Sequence, residues 1–287
     1  MNETIKKYQF KDGLHLEFEI LDLKELLKRK GHMMTVPHRA QFYHIIWIEK
    51  GHGTHLVDFK PITIEDNTIL FIPQDSVNLY DIEGEYQGKT MIFTDKFFFK
   101  NHQDAQFLHS TPLYSNLYDT AKIRFNPNLS DLKVFFNAME TEFVRAPDSA
   151  QFSILHNMLH IFMLKAEREL QSQGFVKLQP SANLDYLILF KDLLEKNFRN
   201  DKSVNKYASD LRISEKQLHK ATTTLLDKTP KQIIDERVLL EAKRLLAHSN
   251  QSIKEIAYEL GYEEPTNFIK YFRKHVSTTP SEFRDQF

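Results

Sequence analysis

Two short stretches carry side chains suited to reading the edges of base pairs. "SEKQLHKATTT" supplies Lys216, Gln217, His219, Lys220 and Thr223, and "PTNFIKYFRK" supplies Thr266, Asn267, Lys270 and Arg273. Asn and Gln pair bidentately with adenine, and Lys reaches guanine O6 and N7 or a phosphate oxygen. That chemistry needs a helix with one polar face, braced from behind by a second helix across a tight turn.

The chain provides the brace twice. With Ser203 set against Ser252, Val204, Tyr207, Ala208 and Leu211 match Ile253, Ile256, Ala257 and Leu260. Each set is an i, i+3, i+4, i+7 stripe. A turn follows, Arg212–Ile213 against Gly261–Tyr262, and the next helix carries Leu218 or Phe268. Ser214-x-x-Gln217 and Ser252-x-x-Glu255 fit capping boxes. Thr229–Pro230 and Thr279–Pro280 each read as an N-cap followed by a first helical position. The helix from Pro230 to about His248 spans roughly 25–28 Å, a spacing suited to two reading helices in successive major grooves about 34 Å apart. A plain helical bundle is the competing reading; two copies in register weigh against it.

The second unit raises a question of charge. Gly261 suits a turn that needs φ > 0. Pro265 fits the first position of the reading helix, which sets Glu263 and Glu264 at its electropositive end. There they stabilise the helix start but put negative charge near phosphate, or else accept from cytosine N4.

The elements upstream have a different texture. Up to about residue 100, β-branched and aromatic runs broken by Gly51, Gly53, Pro61 and Pro73 predict an antiparallel barrel or sandwich. "DLKELLKRKGH" interrupts them as a short helix ending at Gly31. From Leu132 the period becomes helical, and Phe152, Leu155, Leu159, Phe162 and Ala166 form a heptad-like seam. That seam either covers the barrel's open face or joins two copies of the chain; both hold if the helices bury one stripe each way.

Net charge is −1 over 287 residues, with 18 Lys and Arg against 16 Asp and Glu from Leu184 onward, so charge alone does not single out nucleic acid. There is no cysteine, which excludes disulfides and thiolate metal sites. No apolar run approaches a membrane span and no secretory leader is evident, so a cytoplasmic protein is expected.

"SIKEIAYELGYEEPTNFIKYFRKHVSTTPSEFR" closely resembles the C-terminal signature of the AraC/XylS family of bacterial transcription regulators. The paired I-x-x-I-A, the L-G-Y turn, F-x-x-x-F-R-K and T-P-S-E-F-R carry the likeness. "SEKQLHKATTTLLDKTPKQIIDERVLLEAKRLL" is similar to the half that precedes it. The resemblance implies DNA reading by Lys216, His219 and Lys220 and by Thr266, Asn267 and Lys270, with Arg273 and Lys274 on phosphates. Thr222 stands where members often carry a bulky apolar residue. Asp227 and Ser277 replace the usual glycines, which predicts different helix terminations.

The N-terminal half resembles the family's cupin-type sensor barrel through "PHRAQFYHIIWIEKGHGTHLVDF", "NTILFIPQDSV" and "GKTMIFTDKFF". Two domains are therefore expected: a cupin-like effector-binding and dimerisation domain over 1–172 (all-β barrel about 10–125, helices about 130–172), and a DNA-binding all-α domain over 184–287. A linker over 173–183 joins them, and the helix-turn-helix motifs lie at about 203–225 and 252–275.

His38, Tyr43 and Trp47 are candidates to face the barrel interior and contact a small molecule, or simply to fill it. His52 and His55 read as solvent-exposed histidines flanking a turn at Gly53. The cupin metal pattern is broken, with His38-Arg39-Ala40 for the His-x-His pair and Asn78 at the later position, so neither metal nor cofactor is expected. No nucleophile–base set is visible, so catalysis is not expected. The expected partners are double-stranded promoter DNA, a second copy of the chain, a small-molecule effector and, for an activator, RNA polymerase. A cupin-type enzyme fused to a helical interaction domain is the alternative.

Overall fold

The computed structural model describes residues 5–10, 13–81, 83–115, 120–126 and 131–287. They form two compact units, one of Lys6–Lys177 and one that includes Leu178–Phe287. The first is a nine-stranded curled sheet with helices. In order it has β1 (Lys6–Tyr8), β2 (Phe18–Asp22), α1 (Leu23–Met34), β3 (His38–Ala40), β4 (Tyr43–Val57), β5 (Lys60–Ile64), β6 (Thr68–Ile72), β7 (Val77–Tyr80) and β8 (Glu85–Phe93). Then come α2 (Asp95–Phe98), α3 (His102–Ser110), β9 (Ala121–Arg124), α4 (Asp131–Phe143) and α5 (Gln151–Ser172). Pairing is antiparallel except for β1 with β3, which is parallel.

The long strand β4 decides the architecture. Its first half pairs with β6 and β8, and its second half with β5 and β7. A bulge between Ile48 and Lys50 lies in the β4–β8 ladder, which continues to His52, and it falls where the pairing with β6 ends. Gly51 (φ +156°) and Gly53 (φ +142°) lie just beyond it, and a Cβ on Gly51 would stand 2.2 Å from the carbonyl oxygen of Glu85. These glycines bend one continuous strand, so the turn expected at Gly53 does not exist. His52 is exposed there, but His55 is buried, which corrects the reading of both as turn residues.

Strand alternation gives the sheet two buried faces. Tyr43, Ile45 and Trp47 join Ile69, Phe71, Met91 and Phe93 against Phe136 of α4 and Leu155, Leu159, Phe162 and Ala166 of α5. The helical seam thus turns inward onto the sheet. An opposite stripe of Ile154, Ile161 and Leu164 stays exposed. On the other face Ile46, Ile48, Leu70 and Ile72 pack with Val57, Ile64, Tyr80 and Leu23 of α1. Helix α1 starts at an Asp22 cap and runs past Gly31 to Met34. The main-chain N–H and the hydroxyl of Thr35 both donate to the Gly31 carbonyl, 2.9 Å each, so that glycine lies inside the last turn and does not end it.

The second unit contains α6 (Ala182–Asn197), α7 (Val204–Asp210), α8 (Glu215–Leu226), α9 (Pro230–His248), α10 (Ile253–Glu259), α11 (Pro265–Val276) and α12 (Pro280–Arg284). Capping boxes at Ser214, Thr229, Ser252 and Thr279 start α8, α9, α10 and α12. Glu241 on α9 is fully buried and meets three arginines: Arg199 at 3.0 Å, Arg244 at 3.2 Å and Arg237 at 3.4 Å. Arg199 also lies 3.9 Å from Glu259 of α10. The carboxylate therefore ties the linker helix to the segment after α6, and through Arg199 to the second brace.

Candidate nucleic-acid interface

The two helix-turn-helix units repeat down to single hydrogen bonds. In the first turn the N–H groups of Leu211, Arg212 and Ile213 donate to the carbonyls of Tyr207, Ser209 and Ala208. In the second, Leu260, Gly261 and Tyr262 donate to Ile256, Tyr258 and Ala257. Both turns need a left-handed residue, Arg212 at φ 57° and Gly261 at φ 74°. They differ by one residue: Ser214 caps α8 directly after Ile213, whereas Glu263 intervenes before Glu264 caps α11.

Helix α8 buries Leu218, Ala221 and Thr222 and exposes Lys216, Gln217, His219 and Lys220. Thr223 is half-buried, and its hydroxyl donates to the His219 carbonyl at 2.8 Å. The Gln217 side-chain oxygen accepts from the Ser214 N–H and hydroxyl, 2.9 Å each, so its acceptor is committed to the cap and only its amide donors face outward. Helix α11 buries Phe268 and Phe272 and exposes Thr266, Asn267, Lys270, Arg273 and Lys274. Pro265 holds the first helical position, and Glu264 makes no side-chain cap bond. Each helix therefore presents its sequence-identified side chains on the surface opposite its apolar anchors. An open cleft of about 340 Å³ brings Lys231 of α9 beside Lys216 and His219, a cation that helical periodicity on α8 alone does not reveal.

In the first unit of the molecule, the small-molecule candidates separate. Tyr43 and Trp47 lie under α4 and α5, with the Trp47 ring 5.1 Å from Phe136 and 5.9 Å from Phe125. His38 lies on the other face, directly across from Asn78 in the β3–β7 ladder. The three do not share a site, because residues 43 and 47 have the opposite strand parity to the inward face.

That inward face also holds His44, which the sequence did not single out, and His55, which it gave as solvent-exposed. Burial, reinforced by His38, pushes each down to about 3. Burial also lowers His38, against a 2.9 Å contact of its Nδ1 with the Val36 carbonyl. The signal for His44 was available: it alternates with Ile46 and Ile48. Among the described residues, no three His, Asp or Glu side chains are arranged to hold a metal ion.

Similarity to known proteins reaches into both units. Residues 207–286 match the family model of a helix-turn-helix domain, and residues 29–134 match that of an AraC-like ligand binding domain. Together these models span more than half of the chain. The chain belongs to the AraC family of transcription regulators. This AraC-family chain is 26% identical over 253 residues to the HTH-type transcriptional activator RhaS of Salmonella schwarzengrund, covering 86% of each protein. The relative of the same name from Escherichia coli O6:H1 is 24% identical over 262 residues, again with 86% of each covered. Among solved structures, ToxT from Vibrio cholerae aligns over 94% of both chains, with 14% identity and a TM-score of 0.44.

The departures from the AraC-family pattern have local explanations. Thr222 is fully buried, and its hydroxyl donates to the His219 carbonyl at 3.1 Å, so a small polar residue is satisfied where a bulky apolar one is usual. Asp227 (φ 53°) and Ser277 (φ 66°) both adopt the left-handed cap conformation. This overturns the expectation of different terminations: the helices end as they would with glycine, at the cost of Cβ strain.

Proposed function

We propose that this regulator reads two successive major-groove segments of promoter DNA, α8 inserting Lys216, His219, Lys220 and Thr223, and α11 inserting Thr266, Asn267 and Lys270. Arg273, Lys274 and the Gln217 amide contact the flanking backbone or base edges. The observation that carries this reading is the duplicated brace, turn and helix, each copy exposing base-pairing side chains opposite a buried anchor. A small-molecule effector acts through the N-terminal unit, near the inward face that carries His38. For activation the protein would contact RNA polymerase, and its place of action is the cytoplasm, where the promoter is. The relatives are transcriptional activators, so the protein is read as a regulator and not an enzyme.

A second copy of the chain is the proposed partner along the exposed Ile154, Ile161 and Leu164 stripe, since the inner seam is occupied by the sheet. The decisive experiment is selection of bound sequences from a random duplex pool, followed by binding of Asn267→Ala and Lys270→Ala. Each should cost about 1–3 kcal/mol on the selected site and much less on random duplex. An unchanged footprint and affinity in both variants would sink the role of α11.

A further inference from the structure

Helix α11 is tied to the linker helix α9 by a contact that the first unit lacks. The Tyr271 hydroxyl donates to the Asp235 carboxylate at 2.9 Å and lies 3.3 Å from the Asp235 carbonyl. Asp235 is buried, and Lys231 donates to the same carboxylate oxygen at 2.8 Å. One turn further along α11, Nδ1 of His275 contacts the Tyr271 carbonyl at 2.8 Å while its Nε2 lies 3.6 Å from Asp235. Burial and the Asp235 charge both push the Tyr271 phenol up, so it remains a proton donor across the physiological range. The matching position on α8 is Ala221, which has no hydroxyl to offer.

We infer that Tyr271 and Asp235 are positioning residues that set the rotation of α11 about its own axis, and with it the aim of Lys270 and Thr266. The inference rests on the proposed reading by α11. The geometry supports it in three ways. Tyr271 adjoins Lys270 in sequence, and a helix advances 100° per residue, so fixing one side chain fixes the direction of the next. The apolar anchors Phe268 and Phe272 are non-directional and tolerate a small roll, whereas a hydrogen bond to a carboxylate is directional. Lys231, held by the same carboxylate, borders the cleft beside Lys216 and His219 of α8. Lys231 holds that carboxylate in place, so Asp235 references the reading face of α11 to α9, while α8 keeps its own anchors.

The test uses the full-length protein and a duplex selected with it. Lys270→Ala first identifies the half-site read by α11; no effect of that change on any base pair removes the reading, and the positioning role with it. Tyr271→Phe keeps the ring and deletes the hydroxyl. It should lower affinity for the selected duplex about tenfold. Discrimination between matched and mismatched bases should collapse in the α11 half-site only. Binding to random duplex and discrimination in the α8 half-site should be unchanged. Asp235→Asn keeps an acceptor for Tyr271 and should stay within about threefold of the parent, whereas Asp235→Ala should behave like Tyr271→Phe. Equal losses on both half-sites and on random duplex, or intact discrimination in Tyr271→Phe while Lys270→Ala loses it, would overturn the inference.

Discussion

Arg212 and Gly261 occupy the same left-handed position in the two turns, but only Gly261 has a carbonyl pressed against it. A Cβ on Gly261 would stand 1.9 Å from the carbonyl oxygen of Arg199, and the Lys202 ammonium fills the same corner, donating to the Arg199 and Leu260 carbonyls at 2.9 and 2.6 Å. The first turn accepts a side chain at the strain of a left-handed residue. Gly261→Ala should therefore cost more than about 3 kcal/mol in the helical unit, because backbone must move. Arg212→Gly should change stability by no more than about 1 kcal/mol, relief of strain opposing the greater freedom of the unfolded chain. Helical circular dichroism followed through a melt checks both; equal effects would show that the two turns are equally crowded.

The buried Glu241 makes a second, independent demand. Glu241→Gln leaves Arg199, Arg237 and Arg244 facing a neutral amide, and should destabilise the helical unit by about 3 kcal/mol. Urea unfolding of the variant measures this directly. A midpoint equal to the parent's would mean that Glu195, which accepts from Nε of Arg237 at 2.8 Å, and Phe198, whose ring lies 3.8 Å from that guanidinium, hold Arg237 without the Glu241 carboxylate.

Acid should unfold the sheet unit. His44 and His55 stay neutral in the folded state because burial pushes them down to about 3 from an ordinary 6.5. Below pH 6.5 the unfolded chain takes up protons that the folded chain refuses, so stability falls as pH drops from about 6.5 toward 3. Between pH 6.5 and 5 the pair should cost up to about 4 kcal/mol. The single tryptophan, Trp47, lies in this unit, so its fluorescence follows the loss. His44→Phe and His55→Phe, if folded, should flatten the dependence; a parent whose unfolding midpoint ignores pH in this range would refute the burial argument.

The two stripes of α5 give opposite outcomes. Leu159→Asp places a charge in the core against the sheet and should unfold the unit, at a cost above about 3 kcal/mol. Ile161→Asp lies on the exposed stripe and should leave the melt unchanged while producing monomers by light scattering. A dimer that survives Ile161→Asp together with Leu164→Asp places the partner contact elsewhere.

Glu263 and Glu264 are exposed at the start of α11, where Glu264 makes no side-chain cap bond. The double change to Gln should tighten binding to random duplex, because it removes negative charge near phosphate. Weaker binding to the selected duplex alone would mark them as base readers.

The sequence by itself determined what depends on neighbours along the chain. The capping boxes, the Thr-Pro helix starts, the turn at Gly261 and the duplicated stripes are set within a few residues, where i to i+3 and i+4 contacts suffice. For this reason the two reading helices and nearly all their polar side chains were legible. Gln217 is a partial exception, since the same local spacing that marks a cap commits its oxygen to it. Only the tertiary structure decided which stripe of α5 meets the sheet, and that His38 and His55 join His44 on the face opposite Tyr43 and Trp47. Strand parity defines two faces, but which face turns inward is set by pairing between distant strands and by the bulge that bends β4. The contact of Tyr271 with Asp235 belongs to the same class: 36 residues separate its partners, and only packing of α11 on α9 brings them together.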